Sequence, residues 1–328
     1  MATRVNSRNA PDGPSPFAVE GERLPSGKFV DPLLTAKGEP RATVGLRQLD
    51  TLWFATGTLC NLACANCYIE SSPTNDALVY MSAAHVARFL DEIASRGVRE
   101  IGFTGGEPFM NPEIVAMVED ALSRGHEVLV LSNAMKPMRR YEAELLRLRA
   151  AYGERLTLRV SIDHHTQAVH EAERGPNSWQ PMLEGLRWLS ANGFSLAAAG
   201  RHLAGETDAE ARAAYAALFA AEGIAIDTAD PARLVLFPEM DASADIAEIT
   251  TACWDILDKS PDDIMCASQR MVVHRKGEPQ PRVVACTLLP FDPQFDLGAT
   301  VAESDREVPL NHPHCARFCV LGGASCSA

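Results

Sequence analysis

A chain of 328 residues with a formal net charge of −13 and a pI near 5.2 lacks the dense Lys/Arg surface of a broad nucleic-acid footprint, so nucleic acid is demoted to at most a local basic groove. Hydrophobic residues make up 46%, enough for a packed core and too many for a chain disordered throughout. No apolar run approaches roughly 18 residues and the N-terminus has no apolar signal segment, so the sequence reads as neither membrane-spanning nor secreted.

In chain order, residues 1–45 come first, with six prolines and four glycines before position 41. They predict an irregular extension that either drapes over the domain or stays a disordered tail. From about residue 50, short apolar runs alternate with amphipathic stretches. Strands are predicted at 52–57, 98–104, 127–131, 156–162 and 194–199, with a last one at 224–226 or 233–237. Helices are predicted at 82–96 (Ser82 as N-cap), 112–124, 139–152, 178–192 and 207–222. A glycine (Gly97, Gly125, Gly153, Gly193 or Gly223) closes each of the five, because the left-handed position past a helix end suits glycine best. Repeated βα units imply a parallel sheet covered by helices, with functional loops after the strand C-termini. Six units are too few for a closed eight-stranded barrel; an open partial barrel and a doubly wound sheet both fit. After about 243 the rhythm changes. One more helix is predicted at 244–257, then a hairpin over 270–274 and 282–285 with Gly277 at its turn, then a tail rich in Pro, His, Gly and Cys, too poor in apolar residues to fold alone and suited to a metal staple. The expected division is 1–45, 46–242 and 243–328.

Nine cysteines without a signal segment point to a reducing, cytoplasmic setting rather than to disulfides. Cys60, Cys64 and Cys67 are spaced C-x3-C-x2-C in the loop after the first strand. Short spacing lets one loop wrap three thiolates onto one face of a cubane, and three ligands leave one iron open where four would saturate it. From spacing alone, a zinc site or an electron-transfer cluster with a distant fourth cysteine also fits.

C-x3-C-x2-C followed by the aromatic Tyr68 resembles the signature of the radical S-adenosylmethionine (SAM) superfamily. The resemblance spans roughly residues 50–240. It implies a partial (β/α)6 TIM-like barrel, a [4Fe–4S] cluster on Cys60, Cys64 and Cys67, and SAM chelated at the open iron. It implies one-electron cleavage of SAM to a 5′-deoxyadenosyl radical that takes hydrogen from substrate. It also implies a flavodoxin- or ferredoxin-type reductant. Gly105-Gly106-Glu107-Pro108, after the second strand, matches the family's GGEP segment at the SAM amino group: glycines admit backbone to the ligand and a carboxylate suits an ammonium. Ser132 and Asn133 end the third strand, where the family contacts the SAM ribose or carboxylate. Ser161 and Asp163 end the fourth; the resemblance puts Ser161 on the ribose, Arg174 on the carboxylate and Tyr68 near the adenine. Read simply as residues, each is equally a cap, a loop-stabilising group or a packing aromatic. His164 and His165, on the loop after Asp163, either face substrate or are held by local hydrogen bonds.

Cys266, Cys286, Cys315, Cys319 and Cys326 resemble the C-terminal SPASM or shorter twitch extension, in which a cysteine-flanked hairpin and later cysteines hold auxiliary clusters. Five candidates imply one auxiliary [4Fe–4S] cluster, with Cys326, third from the end, the least anchored. A zinc knob is the alternative. His312 and His314 flank Cys315 as packing groups or as a substitute ligand, and Cys253 reads as a buried apolar thiol. The resemblance therefore implies a radical SAM enzyme acting on a small molecule or short peptide, with net oxidation or bond formation. Against it stands a non-catalytic Fe–S carrier or redox sensor, which leaves the GGEP segment and the polar strand ends without a task.

Overall fold

The computed structural model describes residues 10–18 and 21–323. Its main element is a nine-stranded open sheet. After a two-residue strand β1 (Thr43–Val44), the strands are β2 (Thr51–Ala55), β3 (Glu100–Thr104), β4 (Glu127–Ser132), β5 (Leu156–Ser161), β6 (Ser195–Gly200) and β7 (Leu234–Leu236). Each of these six pairs parallel with the next. The last predicted strand thus takes the second of its two positions. Helices α1 (Ala83–Ile93), α2 (Ile114–Ser123), α3 (Lys136–Arg139), α4 (Glu142–Tyr152), α5 (Gln167–Arg174), α6 (Trp179–Ala191) and α7 (Asp208–Glu222) lie between them. Ser82 caps α1 by accepting from the His85 amide, and all five helix-closing glycines hold positive φ. The sheet does not close, which is the expected partial-barrel architecture.

Strand alternation sorts the core into two layers. Leu52, Phe54, Ile101, Phe103, Val128 and Val130 face the helices, where the buried Val86, Phe89, Leu90 and Ile93 of α1 meet them. Each such side chain contributes roughly 1.5–3 kcal/mol. Trp53, Ala55 and Leu129 face inward. Trp53 lies on Gly102, where a Cβ would stand 2.2 Å from the indole, and its Nε1 donates to Gln269 Oε1 at 3.0 Å.

Gln269 belongs to the predicted hairpin, β8 (Gln269–Val273) and β9 (Arg282–Val284), which β10 (Asp296–Gly298) extends. Strand β8 also pairs parallel with β2, which sequence reasoning did not foresee: the hairpin continues the barrel sheet. The helix expected at 244–257 shrinks to α8 (Cys253–Leu257). Upstream of it the chain is irregular rather than helical, because the N-terminal segment uses its backbone groups. Leu24 N donates to Ser243 O and Ala42 N to Ile249 O, while the Glu248 carboxylate accepts from the Phe29 and Ala36 amides and pairs with the buried Arg41 at 2.6 Å. Residues 21–45 thus drape over the C-terminal part, and β1 pairs there with β11 (Val308–Pro309). The expected helix at 139–152 is broken at Arg140–Tyr141 into α3 and α4, and α5 lies in what read as loop. Among the described residues no helix is long and apolar enough to cross a membrane.

Candidate active site and cysteine cavity

The C-terminal ends of β2 to β6 surround one void of about 750 Å³, solvent-open space included. Cys60, Cys64, Cys67 and Tyr68 of the loop after β2 line one side. Gly105 and Gly106 after β3, Ser132 and Asn133 at the end of β4, and Ser161 and Arg174 around β5 line the other. Residues spread over 115 positions of sequence therefore meet where parallel sheets place their sites.

The thiols are held by backbone: the Leu62 amide stands 3.4 Å from Cys60 Sγ and the Ser71 amide 3.4 Å from Cys67 Sγ. Burial, then the nearby Glu107 charge, pushes the Cys60 thiol up to about 12; burial also raises Cys64, against the Arg174 charge. Such thiols gain most from a bound cation that stabilises the thiolate, so the donor set suits an iron–sulfur cluster.

The GGEP segment divides its work. Gly105 (φ +138) and Gly106 run against the cysteine loop, and Gly106 N donates to Gly57 O at 2.8 Å. Glu107 does not line the void. Its buried carboxylate accepts from Ser132 Oγ (2.9 Å), Asn133 N (2.8 Å) and Phe109 N (3.1 Å), and burial raises it to about 7. It ties the ends of β3 and β4 together, and the buried Pro108 opens the turn behind it. Asn133 Nδ2 reaches the cysteine loop directly, at Asn61 Oδ1 (2.9 Å).

Arg174 forms an ion pair with Asp163, and Arg201 joins the same carboxylate at 3.2 Å. Burial pushes the Asp163 carboxyl up, but the two guanidiniums outweigh it and hold it near 2. Sequence reasoning missed the rest of this network. Arg201 also pairs with Glu173 (3.2 Å) and Glu239 (3.1 Å). The fully buried Glu173 accepts the Ala65 amide on its carbonyl (2.7 Å) and the Asn66 amide on Oε1 (3.0 Å), while the Asn66 side chain bonds Glu239. The stretch between Cys64 and Cys67 thus hangs on Glu173. The available signal was position: Arg201 follows β6 directly, where site residues gather. Replacing Glu173 by alanine is expected to cost about 3 kcal/mol, since it strips buried donors of their acceptor. Glu173→Gln, which keeps an acceptor for Asn66, should cost visibly less. Urea unfolding of both variants checks the order.

His170 is fully buried against the Trp179 edge (5.2 Å), with no hydrogen-bond partner for either ring nitrogen among the described residues. Burial, then the Arg174 charge, lowers it to about 3, with Asp163 opposing. Its native pKa lies below the unfolded value near 6.5, so the unfolded chain takes up the proton first and stability falls as pH drops below 6.5. Between pH 7 and 5 this one group removes about 2 kcal/mol. His170→Leu should flatten the acid side of the urea-midpoint profile by that amount.

A second void of about 670 Å³ adjoins the first, sharing Tyr68, Leu131, Ser161, Arg174, Ala199 and Phe237 as walls. It adds Asp163 and Arg201 at a polar end and Pro238, Met240, Leu288 and Phe318 on an apolar side. His164 and His165 line neither void and turn toward Glu206, so of the two readings open to them the locally bonded one, not the substrate-facing one, matches the fold.

Leu288 also borders a third, small apolar cavity into which Cys266, Cys286, Cys315 and Cys319 converge. Burial raises the Cys266 thiol to about 11 and Cys315 further, the latter also through Cys286 and Cys266. A wide, π-type helix, Cys315–Leu321, carries the last two of these cysteines. Four thiols in an apolar chamber fit a fully ligated cluster. Cys326 lies outside the described residues. His314 lines the cavity, burial lowering it to about 4, whereas His312 bonds the His314 amide through Nδ1. Cys253 is half-buried, with the Thr250 amide 3.4 Å from its Sγ.

Comparison with known proteins agrees with this geometry. The model of the radical SAM superfamily matches residues 55–218, half of the chain. The chain is 32% identical over 136 residues to the antilisterial bacteriocin subtilosin biosynthesis protein AlbA of Bacillus subtilis (strain 168), covering 41% of this chain and 29% of that protein. It is 27% identical over 136 residues to the mycofactocin maturase MftC of Mycobacterium ulcerans (strain Agy99), covering 42% and 35%. The matched stretches thus span about a third of these relatives. In fold the chain is similar to Streptococcus suis SuiB bound to S-adenosylmethionine, with a TM-score of 0.56 at 12% identity, covering 77% of this chain and 64% of that one. SuiB has also been crystallised bound to the precursor peptide SuiA; that structure gives a TM-score of 0.55 at 12% identity, covering 78% and 63%.

Proposed function

This chain belongs to the radical SAM superfamily, whose members use a [4Fe–4S] cluster and SAM, and from that premise we propose that it abstracts hydrogen from a short peptide or peptide-like small molecule. Cys60, Cys64 and Cys67 hold the cluster of the active site, and Cys266, Cys286, Cys315 and Cys319 hold one auxiliary [4Fe–4S] cluster. When bound, the first cluster and SAM together supply reductive cleavage of the sulfonium and hence a 5′-deoxyadenosyl radical.

The residues divide the remaining work. Gly105 and Gly106 offer backbone to the SAM amino group, while Glu107, already satisfied by three donors, braces the loop from behind. Ser132, Asn133, Ser161 and Arg174 supply polar contacts along the SAM ribose and carboxylate, and Tyr68 packs at the adenine. The adjoining void takes the substrate. Its apolar side (Met240, Leu288, Phe318) excludes water from a reactive carbon, and Asp163 and Arg201 orient polar groups.

The observation that carries this reading is the chain of three neighbouring voids. The substrate void shares one wall with the cavity of the three-cysteine loop and another, Leu288, with the cavity of the four C-terminal cysteines. A substrate held there lies between a hydrogen-abstracting site and a fully ligated group suited to taking up an electron, which favours net oxidation or bond formation. A peptide substrate is supported by the relatives: one serves bacteriocin biosynthesis, one is a maturase and one binds a precursor peptide. Cysteines kept as ligands suit the cytoplasm, with a flavodoxin- or ferredoxin-type protein as reductant.

The test is anaerobic reconstitution followed by dithionite and SAM. Mass spectrometry should detect 5′-deoxyadenosine. Cys315→Ala should lower iron content by one cluster and retain uncoupled SAM cleavage. SAM that neither binds nor is cleaved by the reduced, fully loaded protein would overturn the reading in favour of an electron carrier.

A further inference from the structure

On the outer side of Asp163, away from both the SAM and the substrate voids, His164, His165 and Glu206 form a compact group whose ligating atoms all lie within 4.8 Å of one another. His164 and His165 follow β5, and Glu206 follows β6 in the loop before α7. The two rings lie side by side, centroids 4.0 Å apart, and present Nε2 to the two oxygens of one carboxylate: His164 to Oε2 at 3.4 Å, His165 to Oε1 at 3.8 Å.

These distances are long for hydrogen bonds and right for atoms that share an ion. Glu206 Oε2 accepts the Leu203 amide at 2.8 Å, but direct hydrogen bonding between the two rings and the carboxylate is weak. One contact is at the limit and the other is beyond it. A cation bound by the two Nε2 atoms and the carboxylate would replace these two long contacts with coordination bonds. The surroundings favour one. Asp163, Glu173 and Glu239 face only Arg174 and Arg201, so the adjacent network carries excess negative charge, to which Glu206 adds. On its other side His164 Nδ1 accepts the Thr166 amide at 3.1 Å and lies 2.8 Å from Thr166 Oγ1, so the loop fixes the orientation of the ring. The buried Phe17, from the N-terminal segment, covers the His164 ring at 6.2 Å, and Tyr215 meets His165 edge-on at 5.7 Å.

We propose that His164, His165 and Glu206 form a zinc site, separate from the iron–sulfur centres, that fastens the β5 and β6 loops beneath the N-terminal segment. Two imidazole nitrogens and one carboxylate oxygen suit zinc and are too few oxygens for calcium or magnesium. A water completes the coordination. The site has a positioning role: it fixes the loop of Asp163, whose carboxylate holds Arg174 and Arg201 at the substrate void.

The test uses the full chain, purified anaerobically with its clusters in place, given one equivalent of zinc and examined by zinc X-ray absorption. The expected first shell is nitrogen and oxygen at about 2.0–2.1 Å, with no sulfur at about 2.3 Å. His165→Gln and Glu206→Gln, both at partly exposed positions, should each lose that equivalent with iron content unchanged. Failure to bind zinc, binding through sulfur, or a nitrogen–oxygen shell that survives both variants would overturn the assignment.

Discussion

Cys64→Ala is expected to reduce 5′-deoxyadenosine formation to background and to lower iron content by one cluster, while the chain still folds. Cys64 sits where the loop after β2 meets Arg174, and burial raises its thiol, so its thiolate form depends on a bound cation. Alanine removes one of the three ligands proposed for a site that has no fourth cysteine on the same loop. The loop itself persists, because it is hung by backbone on Glu173 and Ser72 rather than by the thiol: Ala65 N donates to Glu173 O at 2.7 Å and Cys60 N to Ser72 O at 3.1 Å. Far-ultraviolet circular dichroism and a urea midpoint near wild type, set beside the iron count and the product assay, separate lost chemistry from lost fold. Cys315→Ala is the control, since it lines the other cysteine cavity, beyond the void proposed for substrate, and should leave SAM cleavage measurable.

Gly106→Ala is expected to lower SAM cleavage by on the order of 10²-fold through displacement alone. A Cβ at Gly106 would stand 2.2 Å from Leu59 O, 2.6 Å from Leu59 C and 2.8 Å from Thr58 O, all of them backbone. No side chain can swing aside to relieve that, so the segment leading into Cys60 must move. Its hydrogen bonds oppose the move: Glu107 N donates to Leu59 O at 3.1 Å and Gly106 N to Gly57 O at 2.8 Å. The variant should show weakened SAM binding by calorimetry and an altered reduced-cluster electron paramagnetic resonance spectrum. Gly125→Ala gives the contrast, since a Cβ there meets nothing within 4 Å and only the positive φ resists it. It should cost roughly 1 kcal/mol of stability and leave cleavage intact.

The repeating part of the fold was legible because it is periodic. Apolar runs such as Glu127–Leu131, each followed by a glycine-stopped helix, carry their geometry locally, and six parallel strands stand where six were expected. The cysteine loop and the glycine pair were legible because spacing and backbone demand are written in adjacent residues. What escaped depended on distant partners. Nothing in Gln269–Val273 announces a parallel neighbour two hundred residues earlier, since any buried apolar strand reads alike. The stretch before α8 has helical composition, yet Glu248 spends its carboxylate on the amides of Phe29 and Ala36, so tertiary hydrogen bonding overrode propensity there. Glu107 was assigned by its charge to the ligand, whereas the fold surrounds it with donors from β4. Glu173, one residue before the noticed Arg174, could not be weighed without Arg201, which joins it from the next strand.

The pairing of β8 with β2 bears on how this chain can be dissected. Strand β2 carries the three-cysteine loop at its end and has β3 on one side; the register from Thr51 to Phe54 against Gln269 to Val272 occupies the other. A shortened protein ending near residue 242 would keep every residue proposed for SAM, yet it would bare a row of unpaired amides and carbonyls along β2, beside the inward face of Trp53. Such a flat, apolar margin recruits other chains, so the fragment should aggregate rather than persist as a minimal enzyme. The two cysteine cavities are in that sense inseparable by cutting, and the lower-risk route to a chain lacking the second one is point substitution of its thiols.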